Sequence, residues 1–208
     1  MPGTETRLLR TAVRSGQLAR PTLDVKLDVV PRVPRDLAPG IQHVGISASG
    51  AAVYFRDDLD REIWLRLFVS TIDRFGWRCI AVCLLSTHWH AILDLPDDSL
   101  AVGMHRLVGS YSRRFNQRHE RVGYLVRDRY WSRRKETPEA VLASFRYVAL
   151  NPVGAGLVER PEDWPWSSYG RTVGVSQSFG FVNASDVLGE FGSARAAQIR
   201  GLRRFVES

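Results

Sequence analysis

Two histidines separated by one residue, His88 and His90, follow an apolar stretch that predicts a β-strand. Side chains two apart on a strand point to the same face, so both imidazoles project together while Trp89 faces the opposite side. Neutral imidazoles bind divalent metal ions. The pair therefore predicts a metal site on one face of a sheet, and the alternative is that both histidines only pack there.

A tyrosine and an asparagine follow about sixty residues later, at Tyr147 and Asn151. In a helix these two positions share one face, and Pro152 is expected to end that helix. A phenol oxygen can attack a phosphorus atom, and an amide oxygen can complete a metal site. Together with the histidine pair, they predict an enzyme that cuts and rejoins DNA strands. The alternative is an ordinary core tyrosine.

The charge of the chain favours a polyanionic partner. It carries a net charge of +7 on 208 residues, and only Lys26 and Lys135 of its 29 basic residues are lysines. A GC-rich genome would also raise the arginine content, but the excess of basic over acidic residues is concentrated between residues 101 and 160, around Tyr147. Guanidinium groups bind phosphates bidentately, and aromatic rings stack on bases. We therefore expect DNA contacts from Arg113, Arg114, Arg118, Arg127, Arg129, Tyr130, Trp131, Arg133, Arg134 and Lys135.

The sequence lacks the marks of a membrane or secreted protein. No apolar run approaches the roughly 20 residues of a membrane span, and the arginine-rich N-terminus does not resemble a signal peptide. Cys79 and Cys83 fall in one predicted strand, too far apart for a disulfide, and are expected to be buried hydrophobic residues. We expect a cytoplasmic protein.

Periodicity predicts an α+β fold with the element order β-α-β-β-α-β-α. The first six elements match a ferredoxin-like plan, an antiparallel sheet with helices on one face, with N- and C-terminal extensions. We expect an N-terminal extension over residues 1–35, a catalytic domain over 36–160 and a C-terminal tail over 161–208. Weaker β-like patterns occur at residues 23–29 and 53–55. Thr137 and Pro138 predict the start of the helix that carries Tyr147.

Several longer motifs resemble one known family. The stretches Tyr147-Val-Ala-Leu-Asn-Pro-Val-Gly-Ala-Gly-Leu-Val158 and Asp163-Trp-Pro-Trp-Ser-Ser-Tyr169 are the most specific. With the histidine pair, they resemble the REP-associated tyrosine transposases of the HUH single-tyrosine superfamily, over roughly residues 36–208. The resemblance implies a nucleophile at Tyr147, metal ligands at His88, His90 and Asn151, and Mg²⁺ or Mn²⁺ as the cofactor. It also implies binding of single-stranded or hairpin DNA, a 5′-phosphotyrosine intermediate, and a monomer or homodimer.

The chain departs from the family pattern at three places, and other functions fit the same residues. Ser86-Thr87 replaces Pro-Asn before the first histidine, Ser47-Ala-Ser-Gly50 replaces Ser-Arg-Gly-Asn, and Ala149 replaces a histidine. One alternative is a non-catalytic DNA-binding protein, and another is a metal-dependent RNA or nucleotide hydrolase that uses water. The aromatic residues of the tail, Trp164, Trp166 and Tyr169, either stack on bases or, as we favour, lock the tail onto the sheet.

Overall fold

A four-stranded antiparallel sheet forms the centre of the computed structural model, which describes residues 38–48, 53–126 and 129–208. The strands pair in the order β2-β3-β1-β4, every pair is antiparallel, and β2 and β3 form the expected hairpin. This is the strand order of a ferredoxin-like sheet, so the predicted α+β fold is confirmed. The strands are β1 (Gly40–Ser47), β2 (Arg78–Leu84), β3 (His88–Leu95) and β4 (Trp131–Arg134).

Two helices cover one face of the sheet, as the ferredoxin-like plan requires. They are α1 (Asp58–Phe75) and α2 (Leu100–Arg118). Asp57 caps α1 by accepting a hydrogen bond from the backbone N–H of Asp60, and Gly76 ends the helix with a left-handed φ of 64°. Trp89, fully buried, faces these helices and packs on Trp64 with ring centroids 4.7 Å apart. The histidines on either side of Trp89 therefore face away from α1 and α2.

The opposite face of the sheet is covered by α3 and by the C-terminal residues. These elements are α3 (Pro138–Gly154), a 3-10 turn (Pro161–Asp163), α4 (Tyr169–Thr172), α5 (Ser185–Gly189) and α6 (Arg195–Glu207). Their apolar side chains form a second core with Ile80 and Ile92 of the sheet, and the central residues of that core are Phe145, Val148, Tyr169, Val187 and Leu202. The sheet thus has helices on both faces, and the histidine pair lies on the side of α3.

The predicted end of α3 is wrong, whereas its predicted start is confirmed. Thr137 caps the helix through a hydrogen bond from the N–H of Ala140, with Pro138 in the first turn. The helix continues through Pro152 to Gly154. A proline removes one backbone donor, which is a small loss within the last turn of a helix. Beyond the helix the chain continues in turns, in which Leu157 donates its N–H to the carbonyl of Pro152. The expected strand at residues 53–55 is also absent, because Tyr54 and Phe55 both donate their N–H groups to the carbonyl of Ser86.

The residues after α3 complete the sheet. The backbone around Trp166 and Ser168 hydrogen-bonds to Leu84 and Val82 along the edge of β2, and the indole of Trp164 donates to the carbonyl of Leu84. This arrangement supports the interpretation that the tail aromatic residues lock the tail onto the sheet.

The described residues, from 38 onward, form one compact unit without a boundary near residue 160. The division into three domains stays a prediction. The β-like pattern at residues 23–29 and Arg127 lie outside the described residues. Cys79 and Cys83 are free and buried, as expected, and none of the described helices has the length and apolar character to cross a membrane.

Candidate active site

The predicted histidine pair lies together on the α3 side of β3. The rings of His88 and His90 have centroids 5.2 Å apart and meet edge to face. His88 is half-buried, near the end of the strand, and His90 is 5% exposed. Because strand alternation places both imidazoles on one face, the spacing alone was sufficient to predict this arrangement.

Asn151 reaches the histidine pair from α3. The Nε2 of His88 donates a hydrogen bond to the Oδ1 of Asn151 at 2.9 Å, and the Nδ1 of His88 lies 2.9 Å from the hydroxyl of Thr87. A hydroxyl can both donate and accept, so Thr87 can hold either neutral tautomer of His88. The Thr87 hydroxyl therefore fixes the orientation of the ring. When the proton is on Nδ1, the Nε2 atom has a lone pair with which it can bind another partner.

Tyr147 lies one helical turn before Asn151 and completes the cluster. Its side chain is 53% exposed, and its ring centroid is 5.1 Å from that of His90, with the two rings perpendicular. The ring therefore contacts the second histidine while its other side remains open to solvent. The structure brings Tyr147, His88, His90 and Asn151 together, although the sequence placed them on a strand and a helix about sixty residues apart.

Two further aromatic residues complete the same cluster. His43 lies 5.4 Å from His90 and 5.8 Å from Tyr147, measured between ring centroids, and Trp131 lies 4.8 Å from His43. Gly45 permits this approach, because a Cβ there would meet the Trp131 ring at 2.6 Å. The pairing of β1 with both β3 and β4 brings His43 to this region.

Burial keeps the inner histidines neutral. Desolvation, with His43 and His88 nearby, lowers the pKa of His90 to about 3, and desolvation with the charges of Lys135 and Arg133 lowers the pKa of His43 to about 4. Both ring nitrogens of His90 and the Nε2 of His43 are buried without a hydrogen-bond partner in the part of the chain that the structure describes. Neutral imidazoles with free nitrogens are in the form that binds a metal ion. Within the described ranges, however, three or more His, Cys, Asp or Glu side chains do not converge as a metal site.

Two open clefts meet at the Tyr147 ring. One, of about 850 Å³, is lined by His88 and Asn151 together with Glu139, Arg146, Leu150 and Phe205. The other, of about 650 Å³, is lined by His43, Trp131, Arg133, Lys135 and Ser144. Sequence reasoning did not identify Arg146 and Phe205 as residues of the site. Phe205 lines the first cleft because α6 packs on α3, and no local pattern predicts that packing.

The fold and the sequence both have known relatives. The chain is 26% identical over 117 residues to a Haemophilus influenzae protein named "Putative REP-associated tyrosine transposase", a match that covers 51% of this chain and 66% of that protein. A solved structure of a REP-associated tyrosine transposase bound to a REP hairpin has the same fold, with a TM-score of 0.58 and 17% identity, over 74% of this chain and 87% of that one. No family model matches the chain.

The chain is thus similar in sequence to a protein named as a REP-associated tyrosine transposase and similar in fold to a solved one. The resemblance found in its motifs is therefore confirmed. The chain spans slightly less than two thirds of the length of the curated transposase that it matches.

The predicted DNA-binding residues lie on different faces of the fold. Trp131, Arg133 and Lys135 line the second cleft beside Tyr147. Arg134, between them on the strand, points to the other face, where its guanidinium lies 3.8 Å from Glu136. The exposed residues Arg113 and Arg114 belong to α2, across the sheet from Tyr147, and Arg129 borders a separate apolar cleft beside α2.

Two other candidates have structural roles. Arg118 pairs with Asp57 at 2.7 Å and with the buried Asp60 at 2.6 Å, so its guanidinium ties the end of α2 to the start of α1. Tyr130 is 8% exposed and packs in the core, which removes its ring from base stacking. The sequence could not separate these residues from exposed ones, because their partners come from distant elements.

Proposed function

We propose that the protein is a metal-dependent DNA strand transferase that cleaves and rejoins single-stranded DNA beside a hairpin. The observation that carries this proposal is the convergence of an exposed phenol, at Tyr147, with His88, His90 and Asn151 at the junction of two open clefts. The similarity to REP-associated tyrosine transposases supports a DNA substrate, since the solved relative binds a REP hairpin.

The residues fit a small divalent cation such as Mg²⁺ or Mn²⁺. The His88 Nε2 and Asn151 Oδ1 atoms are 2.9 Å apart, close to the spacing of adjacent ligands of an octahedral ion with bonds of about 2.1 Å. His90, neutral and without a partner for either ring nitrogen, supplies a third donor. The bound cation would neutralise charge on the scissile phosphate.

The protein groups then have separate roles in the transfer. The Tyr147 oxygen attacks the phosphorus atom, a phosphotyrosine bond forms, and the bond from phosphorus to the 3′ oxygen of the neighbouring nucleotide breaks. The phenol proton ends on the released 3′ hydroxyl. The reverse attack by a 3′ hydroxyl rejoins a strand without an external energy source, because the covalent intermediate conserves the phosphodiester bond energy.

Covalent trapping on single-stranded DNA tests the proposal. We expect wild-type protein with Mn²⁺ to form an adduct that survives denaturing electrophoresis on single-stranded oligonucleotides that contain a palindromic hairpin. Tyr147→Phe should abolish the adduct and retain hairpin binding. Tyr124→Phe is the matched control, because Tyr124 is 89% exposed and lies outside the site, and it should leave the adduct unchanged.

The same experiment distinguishes the alternatives. A non-catalytic DNA-binding protein would bind the hairpin equally well with a chelator and form no adduct. A hydrolase that uses water would cleave without an adduct and would remain active as Tyr147→Phe. Either result overturns the proposed strand transfer.

A further inference from the structure

The second cleft carries positive charge that the described protein groups do not neutralise. Arg133 and Lys135 project from the same face of β4 and its extension, roughly 7 Å apart by strand geometry. Neither forms an ion pair with an acidic side chain of the described residues, whereas neighbouring Arg134 lies beside Glu136. Two adjacent cations without counter-charges in an open cleft favour an extended polyanion over a single small anion.

A buried polar atom in the same cleft also lacks a partner. The His43 side chain is 6% exposed, and its Nε2 has no hydrogen-bond partner among the described residues. A buried polar atom without a partner is energetically unfavourable, and a ligand that supplies the missing hydrogen bond removes this cost. Trp131, at the wall of the cleft, offers a ring on which a base can stack.

We propose that this cleft is a subsite for the nucleotide next to the phosphate that Tyr147 attacks. It would hold one backbone phosphate between Arg133 and Lys135 and place an unpaired base against Trp131 and His43. The inference rests on the proposed function, and it adds the path of the strand past Tyr147. Because the Tyr147 ring borders both clefts, a strand that crosses the ring enters one cleft and leaves through the other.

Lysine protection measures occupancy of this subsite directly. Lys26 and Lys135 are the only lysines of the chain, so acetylation of Lys135 is readily resolved by peptide mass spectrometry. We expect a saturating oligothymidylate of about 20 nucleotides, longer than one typical single-strand site, to slow the acetylation of Lys135 about tenfold or more. Free lysine in the same reaction shows whether the acetylating reagent remains equally active with and without the oligonucleotide. An unchanged rate at Lys135 would overturn the proposal.

Two variants on adjacent residues provide a matched comparison. Arg133→Gln should weaken oligothymidylate binding about tenfold at low salt and lower the slope of log affinity against log salt by about 0.7, the value for one phosphate contact on a single strand. Arg134→Gln makes the same charge change on the opposite face and should have little effect on either quantity. Equal losses in both variants would indicate unspecific attraction and contradict the subsite.

The measurements remain informative if strand transfer fails. They are made with a chelator and in Tyr147→Phe, so they require no cleavage. Protection of Lys135 without covalent adducts would support the subsite and refute the strand transferase. Adducts on Tyr147 without protection of Lys135 would support the enzyme and refute the subsite.

Discussion

The Nε2 of His88 lies 2.9 Å from the Oδ1 of Asn151, and this contact joins the strand of the histidine pair to the helix of Tyr147. It positions the phenol near His90 before any cation binds. A cation that takes both atoms as ligands would replace the hydrogen bond without requiring the backbone to move. The position of Tyr147 therefore depends on the contact between His88 and Asn151, the two candidate metal ligands.

Asn151 provides the sharpest test of metal binding. Asn151→Ala should weaken Mn²⁺ binding, because it removes one ligand, and Asn151→Asp should strengthen it, because a carboxylate is a harder and charged oxygen ligand. Titration calorimetry or Mn²⁺ spectroscopy without DNA measures both effects. If Asn151→Ala and Asn151→Asp bind Mn²⁺ as wild type does, the cation is held elsewhere.

Arg61 stabilises the loop before His88 and attaches the tail to it. Its side chain is buried, donates to the hydroxyl of Ser86 at 3.2 Å and lies over the rings of Trp164 and Trp166 at 5.9 and 5.6 Å. Cation–π contacts and charged hydrogen bonds each contribute about 1–3 kcal/mol. Arg61→Ala should therefore lower the free energy of unfolding by about 3 kcal/mol, measured by denaturant titration.

Arg66→Ala on the same helix is the control for Arg61. Arg66 is exposed and pairs only with Glu62 one turn earlier at 3.3 Å, a type of contact worth less than about 0.5 kcal/mol. A loss of stability as small for Arg61→Ala as for Arg66→Ala would show that Arg61 does not anchor the tail.

Acid should destabilise the metal-free protein through its buried histidines. The pKa of His90 is lowered from 6.5 to about 3, so below pH 6.5 the unfolded chain binds a proton that the folded chain does not. Stability therefore falls as pH decreases through this window, by up to about 1.4 kcal/mol per pH unit for one proton. His43 acts in the same direction, since its pKa is lowered to about 4.

His90→Asn isolates this effect. Denaturant titrations in EDTA between pH 7 and pH 5 should give a shallower loss of stability for His90→Asn than for wild type, because one titrating group is removed. An identical slope in the two proteins would mean that His90 is protonated as easily in the folded chain as in the unfolded chain.

Local patterns predicted the parts of the site that depend on one element. Alternation gave the common face of His88 and His90, and helical spacing gave Tyr147 and Asn151. The role of His43 depends on the register of β1 against two other strands, which no local pattern contains. The ion pairs of Arg118 could not be predicted for the same reason, because Asp57 and Asp60 come from the start of α1.

Pro152 and the tail residues show a second limit of prediction from local sequence patterns. Pro152 was expected to end its helix, but in the last turn it removes only one backbone donor, and the chain stays helical to Gly154. The aromatic residues of the tail were expected to lock it onto the sheet, and in addition its backbone pairs with β2 and its helices complete the second core. The contacts of the tail come from distant elements, which local patterns do not contain.

Mass spectrometry of the covalent complex tests the central claim most directly. Wild-type protein is incubated with Mn²⁺ and a palindrome-containing single-stranded oligonucleotide, digested with protease and nuclease, and its peptides are sequenced. We predict a nucleotide joined through a 5′ phosphate to Tyr147. A nucleotide on any other residue, or cleaved DNA with an unmodified Tyr147 under trapping conditions, would contradict the account.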